Sequence, residues 1–262
     1  MRIGKTDKPF SAISTSTHAN ITVRGKDLCS EVIGKTDFTS YFWFLVTGQE
    51  PNEDQVFFAN AVLAAIAEHG LVPSVVAARM TYAAAPEAFQ GAVAAGLLGC
   101  GTVVLGSAET AGRFIADLCA KHAENSDIDA VALEGVRALR ATKTPVPGFG
   151  HPLHAEGDPR ANLLFELAEE RGIVGPHIRM VRAVQRAIPE VIGRSLPINV
   201  NGAIPAVMLD VGFPLAALKG ISLLARTASL IGHLQEESER GIGFILSGAA
   251  AEAIKYDGNE VG

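Results

Sequence analysis

Apolar residues recur along most of this chain at the spacing of amphipathic helices, interrupted by short polar or glycine-containing segments. A first apolar helix is predicted between Asp37, a plausible N-cap, and a stop at Gly48. The segment Pro51-Asn52-Glu53-Asp54 opens the next helix, which is expected to end at His69-Gly70 with the glycine as a left-handed cap. These signals predict a helical protein from this point onward.

Helix-start signals continue towards the C-terminus, while strand-like alternation is nearly absent after the first 40 residues. Residues 1–35 contain short β-like runs and are expected to form an arm or a hairpin. The pattern therefore predicts an all-α fold with many helices joined by short loops. The predicted helix starts are Pro86-Glu87, Ser107, Ser126-Asp127, Asp158-Pro159, Gly175-Pro176, Asn201-Gly202 and, for one long helix running to Glu237, about Pro214.

The composition narrows the functional classes. Hydrophobic residues make up 48% of the 262 residues and aromatic residues only 6%, so the core is expected to consist of Ala, Val, Leu and Ile. A net charge of −6 and a pI of about 5.7, without a basic cluster, argue against nucleic-acid binding. Cys29, Cys100 and Cys119 have neither metal-site spacing nor a disulfide pattern. The N-terminus lacks an apolar signal region, so the expected location is cytoplasmic.

One uncharged stretch, residues 88–108, is long enough to cross a bilayer. Several glycines interrupt it, and Glu87 and Glu109 flank it. A buried helix followed by a turn at Gly99-Cys100-Gly101 explains this stretch better than a membrane span does. No membrane partner is therefore expected.

The segment from Pro147 to Arg160 concentrates groups that could carry chemistry. The glycines of Gly148-Phe149-Gly150 allow a tight turn and a close approach to a ligand, and His151 follows as a titratable imidazole. Asp158 has the character of a helix N-cap, so that a positive helix end and Arg160 would face the same loop. These features predict an anion site with an acid/base group. A Gly/Pro turn with a surface histidine fits the local sequence equally well.

Three other places could contact a ligand. His69 is expected at a helix C-terminus, where simple capping is the alternative role. The two amides of Asn199-Val200-Asn201-Gly202 could bind a ligand or cap a helix. Arg226 lies in an apolar helix, where it needs a bound carboxylate or must snorkel to solvent. No metal is expected, because the possible ligands are spread through a Gly/Pro loop: His151, His154, Glu156 and Asp158.

Five blocks stand out along the chain: Leu45-Val46-Thr47-Gly48-Gln49-Glu50-Pro51, Ala67-Glu68-His69-Gly70, Gly148-Phe149-Gly150-His151 with Asp158-Pro159-Arg160, Asn199-Val200-Asn201-Gly202, and the run from Leu218 to His233. The first three resemble the LLTGELP, ADHG and GxGH…DPR segments of citrate synthases. The last two resemble the NVDG and LNGIFVLGR…IGH segments of the citryl-CoA lyase module of ATP-citrate lyase. The chain's length is similar to that of stand-alone citryl-CoA lyases.

The resemblance implies a two-lobed helical fold. Residues 1–106 with 213–262 would form a large domain and dimer core, and residues 107–212 a small domain. It also implies a homodimer or higher homo-oligomer that binds a CoA thioester. Coenzyme A would enter as part of the substrate, and no tightly bound cofactor is implied.

The resemblance also implies the site residues. The catalytic group would be His151, Asn201 and His69, and the groups that hold substrate carboxylates would be Arg160, Arg226 and His69. The CoA channel would be lined by Val146, Gly148, Phe149 and Gly150. The corresponding chemistry is a retro-Claisen cleavage, in which His151 takes the proton of a tertiary hydroxyl and the C–C bond breaks into a ketone and a thioester enolate.

Several positions depart from the family pattern. The aspartate of NVDG is Asn201 here, and an amide cannot exchange a proton with carbon, although its NH₂ could hydrogen-bond the thioester oxygen. Asp210 is a poor substitute on spacing. The second synthase histidine has no counterpart in residues 102–106, and Pro152 replaces the arginine after GxGH.

Three functions follow from this comparison of residues. The first is a lyase that cleaves citryl-CoA or a close 3-hydroxyacyl-CoA. The second is a condensing synthase of the same fold, which would need a base at Asn201. The third is a catalytically weakened homologue that binds CoA or a partner subunit. Asn201 and Pro152 favour this third function, whereas the retained polar residues of the site oppose it: His69, His151, Arg160 and Arg226.

Overall fold

The computed structural model describes residues 10–101, 103, 105–122, 127–150 and 157–258. Most of these residues are helical, which confirms the predicted all-α fold class. Within the described ranges the α-helices are α1 (Phe38–Thr47), α2 (Glu53–Ala67), α3 (Pro73–Ala84), α4 (Phe89–Leu98), α5 (Ser107–Lys121), α6 (Ile128–Ala141), α7 (Pro159–Glu170), α8 (Pro176–Ile192), α9 (Val200–Asp210), α10 (Leu218–Glu239) and α11 (Gly243–Ala253). A 3₁₀ turn at Leu215–Ala217 precedes α10.

The N-terminal arm contains three short antiparallel strands in the order β1 (Ser14–Ser16), β2 (Ile21–Val23) and β3 (Lys26–Asp27). Thr22 lies opposite Thr15 on one side and Asp27 on the other. A single π-helical turn, Leu28–Val32, connects this sheet to the helical part of the chain. The hairpin expected from the sequence is present, with one more strand.

Local caps account for where the first two helices begin. Asp37 accepts a hydrogen bond from the Ser40 N–H, and Gly48 ends α1 in the left-handed conformation with φ of 75°. Asn52 and Gln55 form a capping box at the start of α2, in which each side chain accepts from the other residue's backbone N–H. Both starts confirm the sequence prediction.

The end of α2 differs from the prediction. The helix stops at Ala67, and the next residue, Glu68, is already extended, so His69 lies beyond the helix rather than at its C-terminus. Gly70 has the expected positive φ of 70° but is not the helix cap. The reason is that the Glu68 carboxylate accepts hydrogen bonds from the N–H groups of His69 and Gly70, which fixes a turn where the helix would have continued.

The uncharged stretch contains the short helix α4, which ends at Leu98 and is followed by a turn at Gly99. The helix begins at Phe89 rather than at the predicted Pro86-Glu87. One segment of the described chain, Leu215–Glu239, is long and apolar enough to cross a membrane by length and composition, which is weak evidence because core helices pass the same test. This segment includes α10, which packs against α2, α3, α4 and α5.

The main core surrounds α9, most of whose side chains are buried. Its buried residues come from α1, α2, α5 to α10 and the segments that connect them, whereas a smaller cluster joins α3, α4 and the second half of α10. The main core therefore runs through both of the predicted lobes. The boundaries 1–106 with 213–262 and 107–212 stay a prediction.

Candidate functional site

Four of the predicted site residues line one cavity of about 310 Å³: His69, Arg160, Asn201 and Arg226. They come from the turn after α2, the first turn of α7, the first turn of α9 and the middle of α10. The volume lies at the lower end of the range for small-molecule sites, about 300–1,000 Å³. We refer to this space as the cationic cavity. The roles of its residues stay predictions, but the fold brings them together.

The first turn of α9 frees one of two asparagines for the cavity. Asn199 is the N-cap, and its side chain accepts a hydrogen bond of 2.9 Å from the Asn201 N–H. The helix therefore begins at Val200, not at the predicted Asn201-Gly202. The Asn201 amide makes no hydrogen bond to any residue in the described ranges, so it can bind a ligand.

Arg226 is almost fully buried, with 3% of its surface exposed, so the snorkelling alternative is wrong. Its Nη1 donates to Ser229 Oγ at 3.2 Å, while its buried Nε has no partner among the residues that the structure describes. Burial lowers the pKa of this guanidinium, and the charge of Glu68 opposes that effect. A buried N–H without a partner costs about 1–3 kcal/mol. Arg226 also lines the cationic cavity, so its charge can pair with a carboxylate bound there.

Asp158 holds two helix starts together. Its side chain is fully buried and accepts from the backbone N–H groups of Arg160 at 3.1 Å and Val200 at 2.9 Å. It therefore caps α7 as predicted and also α9, which sequence reasoning missed. Burial raises the pKa of this carboxyl, but hydrogen bonds from the Arg160 side chain and the Val200 N–H outweigh that effect and lower the pKa.

Arg160 is partly occupied by this same carboxylate. Its Nε and Nη2 donate to the two Asp158 oxygens at 3.0 and 2.9 Å. The guanidinium is one-quarter exposed and faces the cationic cavity. Its Nη1 has no hydrogen bond to another described residue, so this edge can receive a ligand carboxylate.

The glycine segment before His151 packs directly on the start of α9. Gly148 has φ of 85°, and a Cβ there would lie 2.6 Å from the Gly202 Cα. The Gly148 carbonyl accepts from the Asn199 N–H at 3.0 Å, and the Asn199 Nδ2 donates to the Gly150 carbonyl at 2.6 Å. The glycines thus permit a close backbone approach that fixes this segment beside Asn201.

A groove of about 700 Å³ lies along the predicted CoA-binding segment. Val146, Phe149 and Gly150 line it, together with hydrophobic side chains and three cations that are not among the predicted site residues: Arg140, Lys143 and Arg194. Arg140 and Lys143 lie shortly before Gly148 in the sequence, and this proximity to the glycine segment could have indicated that they belong to the groove. The lining residues in the described part of the chain include no carboxylate. This basic groove suits a phosphorylated ligand.

His151, His154 and Glu156 lie outside the described residues, so the role of His151 stays a prediction. Among the residues that the structure describes, no cluster of three or more potential metal ligands occurs. Asp158, the remaining member of the possible ligand set, is occupied by Arg160 and Val200. Asp210 accepts from the N–H groups of His177 and Ile178, at the start of α8, and is not in the cavity.

The sequence of the chain is similar to those of known proteins. Residues 10–244 match the family model described as "Citrate synthase, C-terminal domain". A curated relative, the citrate synthase of Haloferax volcanii, is 26% identical over 200 residues, which cover 76% of this chain and 51% of the relative. The chain thus spans about half the length of this relative.

Two solved structures overlay on almost the whole chain. Citryl-CoA lyase from Hydrogenobacter thermophilus superposes with a TM-score of 0.85 at 27% identity, covering 99% of this chain and 96% of that one. ATP citrate lyase from Methanothrix soehngenii, solved with citrate and coenzyme A, gives a TM-score of 0.80 at 22% identity, covering 98% of this chain and 43% of that chain. The second likeness supports the fold alone.

Proposed function

The chain belongs to the citrate synthase family, and from that premise we propose that it is a carbon–carbon lyase. The substrate is citryl-CoA or a close 3-hydroxyacyl-CoA, cleaved to acetyl-CoA and oxaloacetate by a retro-Claisen reaction. The observation that carries this proposal is the cationic cavity, where Arg226 lies beside His69, Arg160 and Asn201. The buried Nε–H of Arg226 has no partner among the described residues. Near-complete mutual coverage with a citryl-CoA lyase structure supports it further.

The acid end of the substrate is proposed to occupy the cationic cavity. Arg226 offers its buried Nε–H, and Arg160 offers the edge that Asp158 leaves open. Guanidinium groups form strong, directional hydrogen bonds with carboxylates, especially where water is largely excluded. Two cations in a small cavity therefore favour a di- or tricarboxylic acid unit over a simple acyl group.

The thioester end is proposed to reach the basic groove. Gly150 and its neighbours line this groove, while Gly148 contacts the first turn of α9 next to Asn201. Coenzyme A carries phosphate groups, which the cations of the groove can pair with: Arg140, Lys143 and Arg194. Coenzyme A then enters as part of the substrate.

The chemistry needs one proton removed and one returned. The tertiary hydroxyl loses its proton to His151, the C–C bond breaks, and its electron pair moves into the thioester to form an enolate. We assign the Asn201 amide to the enolate oxygen, because its NH₂ is a donor without a partner in the described structure. We assign return of the proton to carbon to His69, the imidazole among the described residues that line the cavity. Proton exchange with water then returns both histidines to their starting protonation states. No co-reactant is required.

Release of oxaloacetate from citryl-CoA, followed with a coupled dehydrogenase, tests the proposal. The expected result is cleavage by the wild type that is lost in His151→Ala. Faster condensation of acetyl-CoA with oxaloacetate than cleavage would instead favour a synthase. A silent wild type with turnover by Asn201→Asp would favour a weakened, binding homologue. Silence of both proteins would exclude citryl-CoA as the substrate.

Two further features of the proposal rest on the family: assembly as a homodimer or higher homo-oligomer, and the absence of a tightly bound cofactor. A cytoplasmic location and the absence of nucleic-acid and membrane partners are proposed from the charge and composition of the sequence.

A further inference from the structure

Glu68 lies next to the cationic cavity without lining it, and its carboxylate accepts four hydrogen bonds. One oxygen accepts from the backbone N–H groups of His69, at 2.8 Å, and Gly70. The other accepts from Ser229 Oγ at 2.6 Å and His233 Nε2 at 3.0 Å. A carboxylate has about four acceptor directions, so all of them are used. Glu68 is therefore saturated and cannot itself bind a ligand.

The donors around Glu68 fix the direction of each hydrogen bond. Arg226 can only donate, so Ser229 Oγ accepts from its Nη1 and must direct its own hydrogen to Glu68. Likewise, Arg79 Nη1 donates to His233 Nδ1 at 3.2 Å, which places the ring hydrogen of His233 on Nε2, facing Glu68. Each contact requires an acceptor at Glu68 and leaves no room for a donor.

On the side away from Glu68, His233 is held by Arg79, which itself forms ion pairs. Arg79 donates to Glu237 at 2.6 Å and to Glu236 at 2.7 Å, and both Arg79 and Glu237 are buried. The second Glu237 oxygen accepts from the Ile242 and Gly243 N–H groups, at the start of α11. The position of His233 is therefore set by α3, α10 and α11 together, and His233 in turn holds Glu68.

We propose that Glu68 is a positioning residue for the carboxylate-binding half of the site, acting through the His69 backbone on one side and through Ser229 and Arg226 on the other. This inference rests on the proposed function. Partial burial alone would raise the pKa of Glu68, but the hydrogen bonds from Ser229, His233 and the Gly70 N–H lower it to about 2. The group is thus a carboxylate throughout the pH range in which the protein would be assayed.

The variant Glu68→Gln separates this role from a purely structural one. In this variant an NH₂ group replaces one of the two carboxylate oxygens, and on either side it meets donors. The hydrogen bonds from the His69 and Gly70 N–H groups are then lost, or those from Ser229 and His233 are. We expect the dissociation constant for oxaloacetate to rise about tenfold or more, which corresponds to about 1.4 kcal/mol or more, while that for free CoA stays unchanged. Glu68→Asp keeps the charge and should recover part of the oxaloacetate affinity.

Isothermal titration with oxaloacetate and with CoA measures both constants, and Glu50→Gln is the matched control. Glu50 also carries one ion pair, with Lys26, but lines neither the cationic cavity nor the basic groove. If Glu68→Gln lowered the affinities for oxaloacetate and CoA equally, or left the affinity for oxaloacetate unchanged, the positioning role would be overturned and the proposed function would remain intact. A wild type that binds CoA but not oxaloacetate would overturn the proposed function and this role together.

A second measurement is independent of ligand binding. Nitrogen-15 NMR of the histidine rings reports which nitrogen carries the hydrogen. The network requires the Nε2–H form of His233 in the wild type, with a changed Nε2 signal in Glu68→Gln. An Nδ1–H form of His233 would contradict the proposed network whatever the substrate is.

Discussion

Asn201 shows how a single helix cap determines which groups are available for chemistry. Two residues before it, Asn199 uses its side-chain oxygen to cap α9 and its Nδ2 to hold the Gly150 carbonyl. Asn201 lines the cationic cavity as a neutral hydrogen-bond donor, and its side chain has no partner in the described ranges. A neutral donor can stabilise an enolate oxygen but cannot supply a proton to carbon, so the two tasks fall to different residues in the proposed mechanism.

Replacing Asn201 with alanine tests the assigned donor role. We expect Asn201→Ala to lower kcat for citryl-CoA cleavage by about 10²–10³-fold, the usual effect of removing one oxyanion donor. The melting temperature should change little, because the side chain caps no helix. Asn162→Ala, at an exposed asparagine outside the cationic cavity, is the control. A variant Asn201→Ala that cleaves at the wild-type rate would refute the assignment.

At the scale of elements, the site depends on a backbone contact between the glycine segment and α9. A Cβ on Gly148 would lie 2.6 Å from the Gly202 Cα, and a Cβ on Gly202 would lie 2.5 Å from the Gly148 carbonyl oxygen, so neither residue tolerates a side chain. This contact, together with the bond from Gly150 N–H to the Pro197 carbonyl at 2.8 Å, joins the basic groove to the first turn of α9. The cationic cavity and the basic groove, the two halves of the proposed substrate site, are therefore connected through this contact.

Gly148→Ala should lower the free energy of unfolding more than Gly150→Ala does. Both have positive φ, 85° at Gly148 and 78° at Gly150, so each alanine carries a conformational cost of about 1–2 kcal/mol. At Gly148 the new Cβ also lies 2.6 Å from backbone, whereas at Gly150 its nearest neighbour is Leu196 at 3.8 Å. The extra clash should add about 1–3 kcal/mol to the loss of unfolding free energy for Gly148→Ala in urea titrations. Equal losses for the two variants would contradict this packing.

Local signals made much of the fold and part of the site predictable. The caps at Asp37, Asn52 and Asp158 act within one helical turn, so the sequence alone indicates them. The end of α2 differs from the prediction because the Glu68 carboxylate accepts from the His69 and Gly70 N–H groups, and Ser229 and His233, far away in the chain, hold that carboxylate in place. The second function of Asp158, capping α9, depends on Val200 and is equally nonlocal.

At the scale of the whole molecule, three carboxylates tie distant segments together: the buried Asp158 and Glu237 and the more exposed Glu68. Glu68 links the turn after α2 to α10, Asp158 links α7 to α9, and Glu237 links α3 and α11 to α10. Burial raises the pKa of each of these carboxyls, but hydrogen bonds to side chains and backbone N–H groups outweigh it and lower the pKa. Stability should therefore depend on these groups being ionised.

The free energy of unfolding should fall as the solution is acidified. A carboxyl whose pKa is lower in the folded state stabilises the fold fully above its unfolded pKa, about 4, and this stabilisation is lost as pH falls through the folded pKa. For Glu68 the loss extends down to about pH 2. Urea titrations between pH 5 and pH 2 should show a smaller pH dependence for Glu68→Gln than for the wild type. An unchanged dependence would contradict the hydrogen bonds assigned to this carboxylate.

The most direct test of the central claim is cleavage of citryl-CoA by the wild type and by Arg226→Lys. The account predicts that the wild type releases oxaloacetate and acetyl-CoA in equal amounts. Lysine keeps the charge but lacks the Nε–H that is proposed to bind the substrate carboxylate, so kcat/KM should fall about 10²-fold. Arg113→Lys, at an exposed arginine paired with Glu109, should match the wild type. Failure of the wild type to release oxaloacetate, or undiminished cleavage by Arg226→Lys, would contradict the account.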